Sequence, residues 1–224
     1  MPIQVVCFLP WTYTPNLGDQ ALPRFPPTRA NGTMTTMTID TIELYRRATD
    51  EFAARVRLVG ARWTAATPCT DWDVRALVHH IVEEELWAPP LFTGRTIAEV
   101  GDSLSGDLLG NNPVRAFERA SAAAVEAVRG PGAMERTVHL SFGDFPGSEY
   151  AMQLAADHLI HAWDLGRAVG ADTTLDAESV AAVRAWFTDR ENAYRSSGAI
   201  GPRVSLPDGA SPQDELLARF GRTP

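Results

Sequence analysis

The sequence predicts a mainly α fold, a helical bundle interrupted by one small β excursion. Three observations point there. Apolar residues recur with helical spacing through several long stretches. Those stretches open on capping residues and close on glycine or proline. Only residues 137–142 alternate like a strand. At 224 residues, 45% of them apolar, the chain suits one domain of ordinary size and can fill its core.

Residues 1–36 stand apart. Pro2, Pro10, Pro15, Pro23, Pro26 and Pro27 punctuate them without a sustained period, so a poorly ordered extension is expected. The apolar run at 5–9 is too short, and lacks the basic flank, for a secretory signal. Met34 and Met37 precede the first good helix and offer an alternative natural start. The folded domain is accordingly expected over 37–224. Asp40 caps a first helix to about Val59, with Ile42, Tyr45, Phe52, Val56 and Val59 on its apolar face. After a proline turn at 67–68, a second helix runs from about Asp73 to Trp87. It carries His79, His80 and three consecutive glutamates, and Pro89-Pro90 is expected to stop it. A glycine-rich loop follows. Asn112-Pro113 opens a third helix that ends near Gly130. Beyond the strand, with turns at Gly143-Asp144 and Pro146-Gly147, a fourth helix spans about Glu149 to Val169 and Gly170 closes it. Asp176 caps a fifth, through about Tyr194. Ser211 caps a short last helix that ends near Gly221.

Composition removes several function classes. A net charge of −8 leaves no basic stripe to displace phosphate counterions, so nucleic acid is not an expected partner. No run approaches a membrane-spanning length. All twenty basic residues are arginine, which rules out a lysine Schiff base and a P-loop. Cys7 and Cys69 lie far apart and suggest neither a disulfide framework nor a zinc ribbon; a reducing cytoplasm is the expected compartment. Cys69 reads as a half-buried structural residue ahead of a helix start. Gly101-Asp-Ser-Leu-Ser-Gly106 misses the spacing of a nucleophile elbow, and no His-Glu-x-x-His occurs.

The histidines are distributed unevenly. Of five in the chain, four form two clusters on two helices: His79-His80, and His158 with His161. His139 stands alone on the strand. On the fourth helix Leu154, His161, Leu165 and Ala168 make one stripe, flanked by Asp157 and His158. Asp157 and His161 are four apart and can reach one point above that face. Burying a bare carboxylate is costly unless it is paired or holds a cation. Bundle cores build metal sites from inward side chains on facing helices, and imidazole plus carboxylate suits zinc, nickel, iron or manganese. Spacing leaves the ligand set open, since His158/His161 is as reachable as Asp157/His161. It also leaves a plainer reading, in which His79 pairs with Glu83 and His80 with Glu84 on a solvated face.

Trp72-Asp-Val-Arg-Ala-Leu-Val-His-His-Ile-Val, followed much later by Asp157-His-Leu-Ile-His-Ala-Trp-Asp-Leu, resembles the DinB-like superfamily. Within it, the sequence is most similar to the branch holding the metal-binding domain of mycothiol-dependent maleylpyruvate isomerase. The resemblance extends from about Thr41 to Pro224 and takes in Gly106-Asp-Leu-Leu-Gly110 and the tail Leu216-Leu-Ala-Arg-Phe-Gly-Arg-Thr-Pro224. It implies a four-helix bundle with extra short helices, holding a divalent metal, usually zinc, on three side chains. One is the histidine eight residues after the tryptophan, here His80. The others are a carboxylate and a histidine four apart, here Asp157 and His161. His158 is then left to packing or to an outer role. The isomerase has glutamate where this chain has Asp157, and its further C-terminal domain is not expected here.

The resemblance further implies an actinobacterial, metal- and thiol-dependent transferase or isomerase, with mycothiol as cosubstrate and a small electrophile as substrate. The alternative is a metal-binding module without catalysis, acting in stress response or sensing. Glu84, one turn after His80, is a candidate proton acceptor, and Arg167 a candidate for holding an anionic group. Trp87 and Trp163 are candidate pocket walls. A monomer or homodimer is expected.

Overall fold

A computed structural model describes residues 39–196 and 198–224; the expected N-terminal extension and the alternative start lie outside the described residues. Helix α1 spans Thr41–Val56, with Asp40 accepting from the Glu43 amide at 2.9 Å. Helix α2 spans Val74–Phe92, capped by Asp73, which accepts from the Ala76 amide at 2.8 Å. The expected stop at Pro89-Pro90 is overturned. Both prolines lie inside the last turn, where their fixed φ suits a helix and only two ladder donors are lost. Buried Leu91 and Phe92 hold that turn against the core.

The glycine-rich passage contains a short α3, Ile97–Val100, set by a Thr96/Glu99 capping box, and a 3-10 turn at Gly101–Leu104. Helix α4, Pro113–Val128, starts on Asn112 as expected. The β excursion is a hairpin: β1, Thr137–Leu140, pairs antiparallel with β2, Gly143–Pro146. Gly143-Asp144, expected as a turn, belongs to β2. Helix α5, Gly147–Val169, begins directly on β2 and ends on Gly170 at φ 65°. Only glycine fits at 147, because a Cβ would fall 1.9 Å from the Ala133 carbonyl oxygen. The expected fifth helix is two, α6 Ala177–Phe187 and α7 Glu191–Ser196, and α8 spans Pro212–Arg219.

Helix α1 packs along α5 and α2 along α4, while α1–α4 and α2–α5 contacts close the ring into a four-helix bundle. Its core holds Tyr45, Phe52, Leu77, Ile81, Phe117 and Leu154, all buried. Helices α6 and α8 pack on each other, with α6 also against α5. Helices α2 and α5 run antiparallel: His80 meets Asp157, Glu85 meets His158, and Phe92 meets Tyr150. Among the described residues no helix is long and apolar enough to cross a membrane.

Candidate metal centre

Helical spacing aims the polar groups of α5 inward. Tyr150, Gln153, Asp157 and His161 follow one another at intervals of three and four, so they share a stripe. On α2, His80, Glu84 and Trp87 do the same. The two stripes face each other across the bundle. His80, Asp157 and His161 each offer a donor atom, and those atoms lie within 4.8 Å of one another. His80 Nε2 is 3.1 Å from Asp157 Oδ2, and His161 Nε2 is 3.3 Å from Asp157 Oδ1. The site is closed to water: His80 is 4% exposed, Asp157 and His161 0%. Trp72 covers it, with its ring 4.8 Å from His80 and 5.8 Å from His161. A tight turn holds Trp72 there, its carbonyl accepting from Thr67 and its amide donating to Cys69.

Burial disfavours charge on all three residues, and their neighbours decide the outcome. Asp157 is pushed up by burial, but His80 and His161 outweigh that and hold its carboxyl well below the usual carboxylate range. Burial pulls His80 down, against the opposing effect of Asp157. His161 ends above its ordinary value, because Asp157 and Asp164 overcome its burial. Without a metal, a proton on His161 and the Asp157 charge therefore form a buried pair. His80 Nδ1, Asp157 Oδ1 and His161 Nε2 make no hydrogen bond among the described residues. Each such buried orphan costs roughly 1–3 kcal/mol. A cation taking lone pairs from the two imidazoles and the carboxylate would relieve that cost, and two nitrogens with one oxygen fit a three-ligand site with an open position.

A second group of donor atoms, Cys69, His161 and Asp164, is equally close, but its lone pairs are occupied. Asp164 accepts from His161 Nδ1 at 2.9 Å and from Arg222 Nη2 at 2.7 Å. Cys69 is buried, accepts from Arg222 at 3.2 Å, and no free thiol is found among the described residues. It is therefore more deeply set than the half-buried residue expected.

The remaining candidates separate. His158 is turned away from the triad, between the Leu154 carbonyl and Glu85, each at 2.7 Å, so the His158/His161 ligand pair is not assembled. His79 Nε2 faces the Gly106 carbonyl at 2.9 Å, a contact that pins the loop after α3. His139 meets Asp144 across the hairpin at 2.7 Å. Neither His79 nor His80 takes the expected glutamate partner. Glu84 is buried on the triad's stripe. Arg167 is exposed, with its guanidinium stacked over the ring of buried Trp163 at 5.4 Å. Trp87 is likewise buried. Sequence reasoning gave no role to Trp72, Asp164 or Arg222. The signals were present: Asp164 follows His161 by three, and the other two lie in the quoted motifs.

Comparison with known proteins places the chain among relatives. The model of the mycothiol maleylpyruvate isomerase N-terminal domain matches residues 45–166. An uncharacterised protein of Mycobacterium tuberculosis, found in strains H37Rv and CDC 1551, is 32% identical over 193 residues, covering 83% of this chain and 99% of the relative. Among solved structures, a histidine-to-alanine mutant of mycothiol-dependent maleylpyruvate isomerase superposes with a TM-score of 0.53 at 19% identity. That match covers 66% of this chain and 68% of the isomerase, and it establishes a shared fold.

Proposed function

Since the chain belongs to the mycothiol maleylpyruvate isomerase N-terminal domain family, we propose that it is a divalent-metal protein. In this reading it uses a low-molecular-weight thiol, mycothiol, to transform a small electrophile by transfer or isomerisation. The observation that carries the reading is that His80, Asp157 and His161 each bring a ligand atom within 4.8 Å of the others in a water-excluded space. A bound divalent cation would supply Lewis acidity, lowering the pKa of a thiol sulfur and so generating the nucleophile at neutral pH.

The side chains do the rest. His80, Asp157 and His161 would hold the cation, and two imidazoles with one carboxylate suit zinc. One carboxylate against two positive charges leaves a surplus of one, which favours an anionic fourth ligand such as a thiolate. Asp164 adds no further negative charge, since Arg222 neutralises it. Trp72 limits entry and keeps water out. Beyond the triad, Trp87 Nε1 and Tyr150 Oη make no hydrogen bond among the described residues, and Gln153 turns its amide toward Tyr194. In this reading these groups would meet the polar body of a small molecule, and Glu84, one turn from His80, would accept a proton.

The test is turnover of an electrophile panel with and without thiol. Activity should need both thiol and metal. Turnover that survives complete chelation contradicts the proposal.

A further inference from the structure

The second turn of interactions around His161 leads to the end of the described chain. We propose that Asp164 and Arg222 form a positioning pair for the metal centre, through which the C-terminal tail sets metal affinity. This rests on the metal reading above.

Arg222 is 1% exposed, an unusual place for a guanidinium, which is buried only when paired and hydrogen-bonded. The tail is built to put it there. After α8, Phe220 stacks on Phe187 with ring centroids 4.1 Å apart. Gly221 then takes φ +81° and passes so close to Gly201 and Pro202 that a Cβ would lie 3.3 Å from each. This turn, which L side chains rarely adopt, directs the next residue inward. All three guanidinium nitrogens of Arg222 are used. Nε reaches Asp164 Oδ1 at 3.2 Å, Nη2 reaches Asp164 Oδ2 at 2.7 Å and Cys69 Sγ at 3.2 Å, and Nη1 donates to the Phe220 carbonyl at 2.9 Å. The fork fixes the plane of the carboxylate as a monodentate ammonium cannot.

The oriented carboxylate also accepts from His161 Nδ1 at 2.9 Å, while Cys69 Sγ lies 3.5 Å from Oδ2. An ionised carboxylate only accepts, so Nδ1 must carry the hydrogen. That leaves Nε2, 3.3 Å from Asp157 Oδ1, as the atom His161 would offer to a cation. The pair thus selects the tautomer and ring angle of a ligand, the role outer partners of metal-bound histidines play. A pair serving only to anchor the tail would have no reason to include that nitrogen.

The test compares full-length wild type, Arg222→Gln, Asp164→Asn, the double variant, and Arg219→Ala as a tail control whose partners are Glu191 and the Arg184 carbonyl. Zinc affinity is measured by competition with a chromophoric chelator, the ligand field by the visible spectrum with Co²⁺, and the fold by circular dichroism. Arg222→Gln and Asp164→Asn should each weaken zinc roughly 10–100-fold and shift the Co²⁺ bands. The double variant should lose little more than either single one, because both act through one bond. Arg219→Ala should change neither. If Arg222→Gln does not fold, Arg222→Lys keeps charge and most of the volume but loses the fork, and should show a smaller loss in the same direction. Zinc binding within about threefold of wild type, with unchanged Co²⁺ bands, overturns the positioning role alone. Wild-type protein that binds no zinc overturns the metal reading with it.

Discussion

Two buried polar clusters hang on the same pair of helices, built on His80 and Glu85 of α2 and on the adjacent Asp157 and His158 of α5. The first joins His80 of α2 to Asp157 and His161 of α5. The second joins Glu85 of α2 to His158 of α5 and adds Tyr45 from α1. Both are closed to solvent. They differ in saturation. Glu85 accepts from Tyr45 through one oxygen and bonds His158 Nε2 through the other, and His158 Nδ1 meets the Leu154 carbonyl. With acceptors on both sides the ring carries two N–H groups; burial pulls its pKa down, and the Glu85 charge overrides that and raises it. Every polar atom is used. In the first cluster one polar atom on each of three residues makes no hydrogen bond among the described residues. A saturated network ties helices together, whereas an unsaturated one at equal depth needs another partner to offset its cost.

The widest separation between the clusters should come from substituting one member of each. His80→Ala or His161→Ala should abolish zinc binding and thiol-dependent turnover while the helical signal persists. Glu85→Ala should leave zinc affinity intact but lower unfolding free energy by roughly 3–5 kcal/mol, the cost of stranding a buried charge, read from denaturant titration of the metal-free protein. A Glu85 variant that loses zinc without losing stability would erase the distinction.

A smaller effect concerns protons. In the metal-free protein Asp157 is already ionised, His80 is shifted toward neutrality, and His161 is held above its ordinary value of 6.5. The cation therefore displaces one proton, from His161. Affinity should be fully expressed above the raised His161 value. It should fall as pH drops through that value, by at most about tenfold per pH unit. Calorimetry in buffers of different ionisation heats should count that single proton near neutral pH; release of none argues against His161 as a ligand.

The smallest expected effect is at Tyr150. Its hydroxyl makes no hydrogen bond among the described residues, so Tyr150→Phe should change stability by no more than about 1 kcal/mol. In the proposed thiol-dependent reaction it should raise KM for the small substrate more than it lowers kcat. A large loss of stability would show that the hydroxyl is structurally satisfied.

Much of the fold was legible because its signals are local. Asp40, Asp73, Asn112, Asp176 and Ser211 cap the helices read from them, and Gly170 ends α5. Local rules failed where tertiary packing outweighed them. Pro89 and Pro90 stay helical under the buried Leu91 and Phe92, and the fifth helix breaks at 188–190, where the Arg190 side chain turns to Glu149. In the candidate site, spacing brought Asp157 and His161 together, and the family resemblance chose His80 over His79. It could not show that Glu85 fills the valence of His158, since they are 73 residues apart. Arg222 was less visible still, because its role depends on a glycine turn that reverses the tail into the core.

The central claim is that the three side chains of the first cluster, His80, Asp157 and His161, meet at a cation. Its most direct test is a crystal of the untagged protein equilibrated with Co²⁺ or Zn²⁺, measured on both sides of the metal absorption edge. The account predicts one anomalous peak within coordination distance of His80, Asp157 and His161, and none beside His158. Full occupancy elsewhere, or no peak between those three side chains, would contradict it.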